Sequence, residues 1–231
     1  MLLELDLFLL TILTMLSSTE YLDTHLRPLI ESIDVKNSES YTLDALGINM
    51  VSSQAILIAI GNRFEKFWNK VVTDSTATKN ELPFNYGTDK IKVNGKNRQV
   101  DHFFTVGRRN IYLESKCNLT FDTEKKPESN EKIEQVRCAL SEVFGKTDAG
   151  YYVPVLSDIP EELQNQYKSA GVPVYGVSDM FDWLDNQVPF TIEEYFGYIK
   201  NILGPIVRDK LSGRTHSKVS HGVTQKDMDL L

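Results

Sequence analysis

The stretch RQVDHFFTVGRRNIYLESKCNL, residues 98–119, decides how this chain reads. Two runs rich in β-branched and aromatic residues flank Gly107-Arg108-Arg109-Asn110, which is the pattern of two strands joined by a turn. Side chains alternate faces along a strand. Over 111–119, Ile111, Leu113, Ser115, Cys117 and Leu119 therefore face one way, while Tyr112, Glu114, Lys116 and Asn118 face the other. Over 98–106, Val100, His102, Phe104 and Val106 share one face, and Gln99, Asp101, Phe103 and Thr105 share the opposite one. A hairpin of these strands brings the Asp101 carboxyl close to Glu114, with the Lys116 ammonium beside them.

Two carboxylates that close repel, and one is pushed towards its neutral form unless a cation sits between them. Their hard oxygens suit Mg²⁺, which keeps several waters and takes one or two carboxylates. A cation held there can activate a water and polarise a phosphate. Lys116 is placed to orient that water or to offset developing charge.

Outward from the hairpin, 90–93 reads as a further strand, and Asn94-Gly95 as a two-residue turn whose central positions need positive φ. The three strands form a meander. A helix is expected over 52–72, with Ile56, Ile60, Phe64, Phe67 and Val71 at helical spacing, and a loop over 73–88. Gly61 inside that helix suggests the close approach of another backbone. A basic loop at 122–127 leads to a helix over 129–144 with the stripe Ile133, Val136, Leu140 and Val143. Strands follow at 150–156 and 172–177, separated by a helix at 160–170, and helices at 179–184 and 192–210 end the ordered pattern. The core order is αβββαβ: an α/β fold with a mixed central sheet flanked by helices, and extra N- and C-terminal helices. We expect one domain over 1–231, with its core at about 52–157, an N-terminal helical region at 1–50 and a C-terminal helical extension at 178–231.

A chain of 231 residues with 41% hydrophobic content can bury a substantial core. Its net charge of −7 would repel DNA if it were evenly spread. From Asp89 to Lys126, however, nine Lys and Arg stand against five Asp and Glu, a local basic footprint. Such a cluster is equally the solvated rim of a sheet. Cys117 and Cys138 have neither disulfide nor zinc spacing and read as small buried hydrophobes in a reducing cytoplasm. The apolar run 7–16 is about half of the roughly 20 residues needed to span a bilayer, and the segment has no basic start, so no membrane association is expected. Walker, H-E-x-x-H and G-x-S-x-G motifs are absent.

Asp101, a gap of twelve residues, then Glu114-Ser115-Lys116 on the next strand resembles the D…(D/E)-x-K signature of the PD-(D/E)XK nuclease superfamily, and the αβββαβ order resembles its core. The family pattern has a proline where this chain has Val100. The stretch ESKCNLTFDTEK looks most like the orthodox type II restriction endonucleases. The resemblance implies that Asp101 and Glu114 ligate Mg²⁺ with the Ser115 carbonyl, and that Lys116 serves the attacking water. It also offers Glu65, on the first core helix, as a further acid of the site; a solvated helix residue paired with Lys or Arg is the equal alternative. Asn118, Asp122, Thr123, Lys125 and Lys126 become candidate DNA contacts, although a solvated loop would look the same. Gln135 reads as a surface glutamine before it reads as a supporting group. His102 reads as a core histidine.

The implied function is Mg²⁺-dependent, sequence-specific cleavage of double-stranded DNA by a cytoplasmic prokaryotic homodimer, with a cognate DNA methyltransferase in the same host. A repair, junction-resolving or nicking nuclease, or a non-catalytic DNA-binding module on the same fold, are the alternatives. Asp23 with Asp34-Val35-Lys36, and Glu124-Lys125-Lys126, also match parts of the motif, but neither lies on a converging hairpin.

Overall fold

The computed structural model describes residues 18–33, 53–75, 90–117, 126–168, 171–185 and 187–208, with side chains of the second segment from Ile58 onward. In chain order these hold helices α1 (Arg27–Glu31) and α2 (Ser53–Asp74), strands β1 (Lys90–Val93), β2 (Lys96–Gln99), β3 (His102–Val106) and β4 (Arg109–Ser115), helix α3 (Lys126–Phe144), strand β5 (Thr147–Tyr152), helix α4 (Glu161–Lys168), strand β6 (Val174–Tyr175), and helices α5 (Val177–Trp183) and α6 (Ile192–Tyr198). A helical stretch at 18–25 leads into α1.

The central sheet has the order β3-β4-β5-β6. β3 and β4 are antiparallel with His102 opposite Leu113, whereas β4–β5 and β5–β6 are parallel. A mixed sheet is the expected result, because a short turn can join only antiparallel neighbours and the parallel pair needs α3 as its crossover. β1 and β2 form a separate two-stranded ribbon, so the expected three-strand meander is in fact two hairpins. The run read as one strand over 98–106 breaks at Val100-Asp101, and Val100 packs with Phe103 and Tyr112 instead of facing away from them. Asn94 and Gly95 both have positive φ, as the turn signal required.

Adjacent residues on each strand feed opposite layers. Phe104, Ile111, Leu113 and Tyr152 join a core built by 18–33, α2, α5 and α6, where Phe64, Phe67, Trp68, Val71, Phe190 and Tyr195 are buried. Phe103, Tyr112 and Tyr151 join the other core, with Ile133, Val136 and Leu140 of α3 and Tyr167 of α4. Each large aromatic buried in this way stabilises the fold by about 1.5–3 kcal/mol of transfer free energy. The sheet is thus covered on both faces.

Several boundaries differ from the sequence reading. α2 runs two residues into the expected loop; 76–89 lie outside the described residues. β4 ends at Ser115 instead of Leu119. α3 starts earlier, since Pro127 sits in its first turn, where a missing N–H costs nothing. β5 lies three residues upstream of its expected start and ends before Pro154, which has no N–H for a ladder. The helix expected over 192–210 widens into a π-helical turn at Ile199–Leu203, where the Gly204 N–H reaches back five residues to the Ile199 carbonyl, next to Pro205. Val143 is 63% exposed, and Phe144 takes its place against Phe103. Cys138 is exposed, contrary to expectation. Gly61 faces the Cys117 sulfur at ordinary distance, a side chain and not a backbone.

Among the described residues, no helix is long and apolar enough to cross a membrane. The apolar run 7–16 lies outside them.

Candidate active site

Asp101 sits in the bend between β2 and β3, where its Oδ2 accepts the Ser115 N–H at 3.0 Å. A carboxylate oxygen thus takes the place of a strand partner at the end of β4. The next backbone group, the Lys116 N–H, donates to the Tyr152 carbonyl of β5 at 2.8 Å, which fixes the chain after Glu114. Tyr112, Glu114 and Lys116 share a face, as the period of two required. The Tyr112 hydroxyl donates to Glu114 Oε2 at 3.1 Å, and Lys116 Nζ donates to Glu114 Oε1 at 2.9 Å.

A second ammonium reaches the same carboxylate from α3. Lys132 Nζ lies 2.6 Å from Glu114 Oε1 and 2.7 Å from Oε2. Sequence reasoning missed this residue. The available signal was helical spacing, because Lys132 precedes Ile133 and stands one turn before the buried Val136.

Asp101 is 6% exposed and Glu114 is 4% exposed. Burial, together with the charges of Glu114 and Glu65, pushes the Asp101 carboxyl up to about 8. Glu114 goes the other way: burial alone would raise it, but the two ammonium groups outweigh that and hold it below the usual carboxylate range. Lys116 shows the reciprocal effect, its burial outweighed by Glu114 and the other two carboxylates, so its ammonium is held above its ordinary value.

Glu65 projects from α2 into the same neighbourhood. Burial and the Glu114 charge push it up to about 6, and its Oε1 accepts the Gln99 side-chain amide at 3.2 Å. It is half-buried beside the cluster, and among the described residues no Lys or Arg forms an ion pair with it. Gln99 and Tyr112 are further members that sequence reasoning did not assign. His102 points the other way and is fully buried, with Nδ1 2.7 Å from the Asn69 side-chain oxygen of α2. Burial lowers it to about 3, so it is a neutral core histidine, as read.

A cleft of about 560 Å³ opens between the β1–β2 ribbon and the start of α3, lined by Lys96, Arg98, Lys132, Gln135, Glu128 and Glu131 among others. Gln135 donates to Glu131 at 2.7 Å on the cleft wall. Ser115 ends β4, between Glu114 and Lys116 in sequence. Of the candidate nucleic-acid contacts, Asn118, Asp122, Thr123 and Lys125 lie outside the described residues, as does the Lys126 side chain. The decoy Asp23 is engaged elsewhere, by Arg27 at 3.4 Å and by the Tyr198 hydroxyl.

Among the described residues, no three His, Cys, Asp or Glu side chains form a group able to hold a metal. Two carboxylates with a backbone carbonyl are the donor set in question, and all its atoms are hard oxygens suited to Mg²⁺. The position in front of Glu114 already accommodates a cation, the Lys132 ammonium. The donors fit the ion in kind, while Lys116 and Lys132 occupy the Glu114 oxygens in this structure.

No family model and no curated protein sequence matches the chain. Among solved structures it is similar to Can2 from Sulfobacillus thermosulfidooxidans in complex with cyclic tetra-adenylate, at 14% identity and a TM-score of 0.37, over 76% of this chain. The chain spans 55% of the length of that protein.

Proposed function

We propose that the chain is a Mg²⁺-dependent endonuclease hydrolysing phosphodiester bonds of double-stranded DNA, most like a sequence-specific type II restriction enzyme, built as one nuclease domain around the mixed β3-β4-β5-β6 sheet. The observation that carries the reading is the joint burial of Asp101 and Glu114 with the Lys116 ammonium on the same carboxylate. Burying mutually repelling carboxylates is costly for a structural purpose and useful for a catalytic one.

In this reading Asp101, Glu114 and the Ser115 carbonyl hold Mg²⁺. When bound, the ion supplies a Lewis acid and a more acidic water. Lys116 holds the attacking water and offsets negative charge on the phosphate. Tyr112 fixes the Glu114 carboxylate from behind, and Glu65 adds a proton acceptor at the rim. Cutting both strands of a palindromic site calls for two-fold symmetry, hence a homodimer. A host carrying such an activity needs a DNA methyltransferase to protect its own sites.

Incubation of the purified protein with phage or plasmid DNA, in Mg²⁺ and in EDTA, tests the reading. Discrete fragments only with Mg²⁺ support a restriction enzyme. A smear supports a nuclease without sequence preference, and nicking or cleavage confined to branched DNA supports the repair alternative. Intact DNA of every form in Mg²⁺ would sink the proposal.

A further inference from the structure

The Glu114 carboxylate is already saturated. Lys132 covers both oxygens, Lys116 adds a contact to Oε1, and Tyr112 adds one to Oε2. Four contacts use the roughly four lone-pair positions a carboxylate offers. A divalent ion can reach Glu114 only if one donor leaves.

The three donors are not equally free to go. Tyr112 is fully buried in the core between the sheet and α3. Lys116 comes from the residue after β4, tied by its own N–H to Tyr152, and contacts one oxygen. Lys132 comes from a different element, α3, and borders the cleft; its side chain is 24% exposed against 31% for Lys116, so it is the adjoining cleft and not exposure that sets it apart. Its flexible four-carbon stem allows the ammonium to swing there.

We propose that Lys132 is a built-in competitor for the divalent cation: its ammonium sits where the ion must bind, and the ion enters by displacing it into the adjoining cleft. This rests on reading the site as metal-dependent. In the cleft the displaced ammonium meets Lys96 and Arg98 but also Glu128 and Glu131, and these carboxylates can receive it when it leaves Glu114.

The test is Mn²⁺ binding to the whole chain without DNA, followed by electron paramagnetic resonance of the free ion. The variants are Lys132→Met and Lys132→Gln, which keep the stem and remove the charge, with Lys132→Arg to restore it. We expect the two neutral variants to bind Mn²⁺ about 10- to 100-fold more tightly than wild type, and the arginine variant to return towards wild type. Wild type that binds Mn²⁺ as tightly as both neutral variants, or more tightly, overturns the inference and leaves the nuclease reading standing. If no form binds Mn²⁺, both fall together. Thermal melts of each variant confirm that the fold is retained.

Discussion

Asp101→Asn tests whether the fold holds this carboxyl against its own charge. Burial first, and then the charges of Glu114 and Glu65, raise it from 3.8 to about 8. A raised folded-state value means that ionisation favours the unfolded chain. The stability linked to this group is complete below the unfolded value, and is lost as pH rises through the folded one. At pH 7 about three pH units lie above the unfolded value, and at 1.36 kcal/mol each the ceiling on the cost is ~4 kcal/mol. Relaxation and water entry around a buried charge bring that to ~1–3 kcal/mol. Asparagine keeps an oxygen for the Ser115 N–H and carries no charge. In EDTA at pH 7 the variant is expected to melt ~2–10 °C above wild type, the lead shrinking towards zero near pH 4. Circular dichroism melts across that range measure it, beside Asp101→Ala, which loses the accepting oxygen as well. A variant less stable than wild type near pH 8, or a gain independent of pH, refutes the reasoning. The same substitution should abolish cleavage, a gain in stability at the expense of function.

Lys116→Ala should lower Mg²⁺-dependent cleavage about 10²–10⁴-fold with an unchanged far-ultraviolet spectrum; unimpaired cutting would remove Lys116 from the chemistry. Gly176→Ala would place a Cβ 2.2 Å from the Ser157 carbonyl oxygen, a backbone clash, so unfolding by urea should show a loss of ~1–3 kcal/mol. Tyr195→Phe removes both the acceptor for Trp68 Nε1 at 3.0 Å and the donor to the Pro154 carbonyl at 2.9 Å. With both groups buried, the expected cost is ~2–4 kcal/mol in the same assay, and a loss under ~0.5 kcal/mol would mean that water replaces the hydroxyl.

The parts of the site legible in the sequence were those set by local period. Glu114 and Lys116 share a face because they are two residues apart on a strand, and no tertiary knowledge is needed for that. The hairpin brought Asp101 to the end of β4, but the bend that aims its carboxyl there was not legible. Lys132 was hidden because its role depends on how α3 crosses the sheet, which periodicity leaves open; only its place beside the buried stripe hinted at it. Glu65 stayed open between two readings because a helix face says nothing of which strand end it meets. Phe144 displaced Val143 for a similar reason. The last turn of α3 meets Phe103, and that contact is tertiary.

The break at Val100-Asp101 had no Gly or Pro to announce it, and it makes the site. Continuing the β3–β4 register by two residues past His102 and Leu113 would set Val100 opposite Ser115, and the Ser115 N–H would find a main-chain acceptor. Instead the strand bends, Val100 turns into the core, and the N–H is left to the Asp101 carboxylate. Since an unpaired buried N–H costs about 1–3 kcal/mol, that bond anchors the carboxylate as firmly as the carboxylate completes the strand. Asp101 therefore serves the end of β4 structurally while its charge stays frustrated. In the metal-dependent reading proposed above, a cation between Asp101 and Glu114 is what would relieve that frustration.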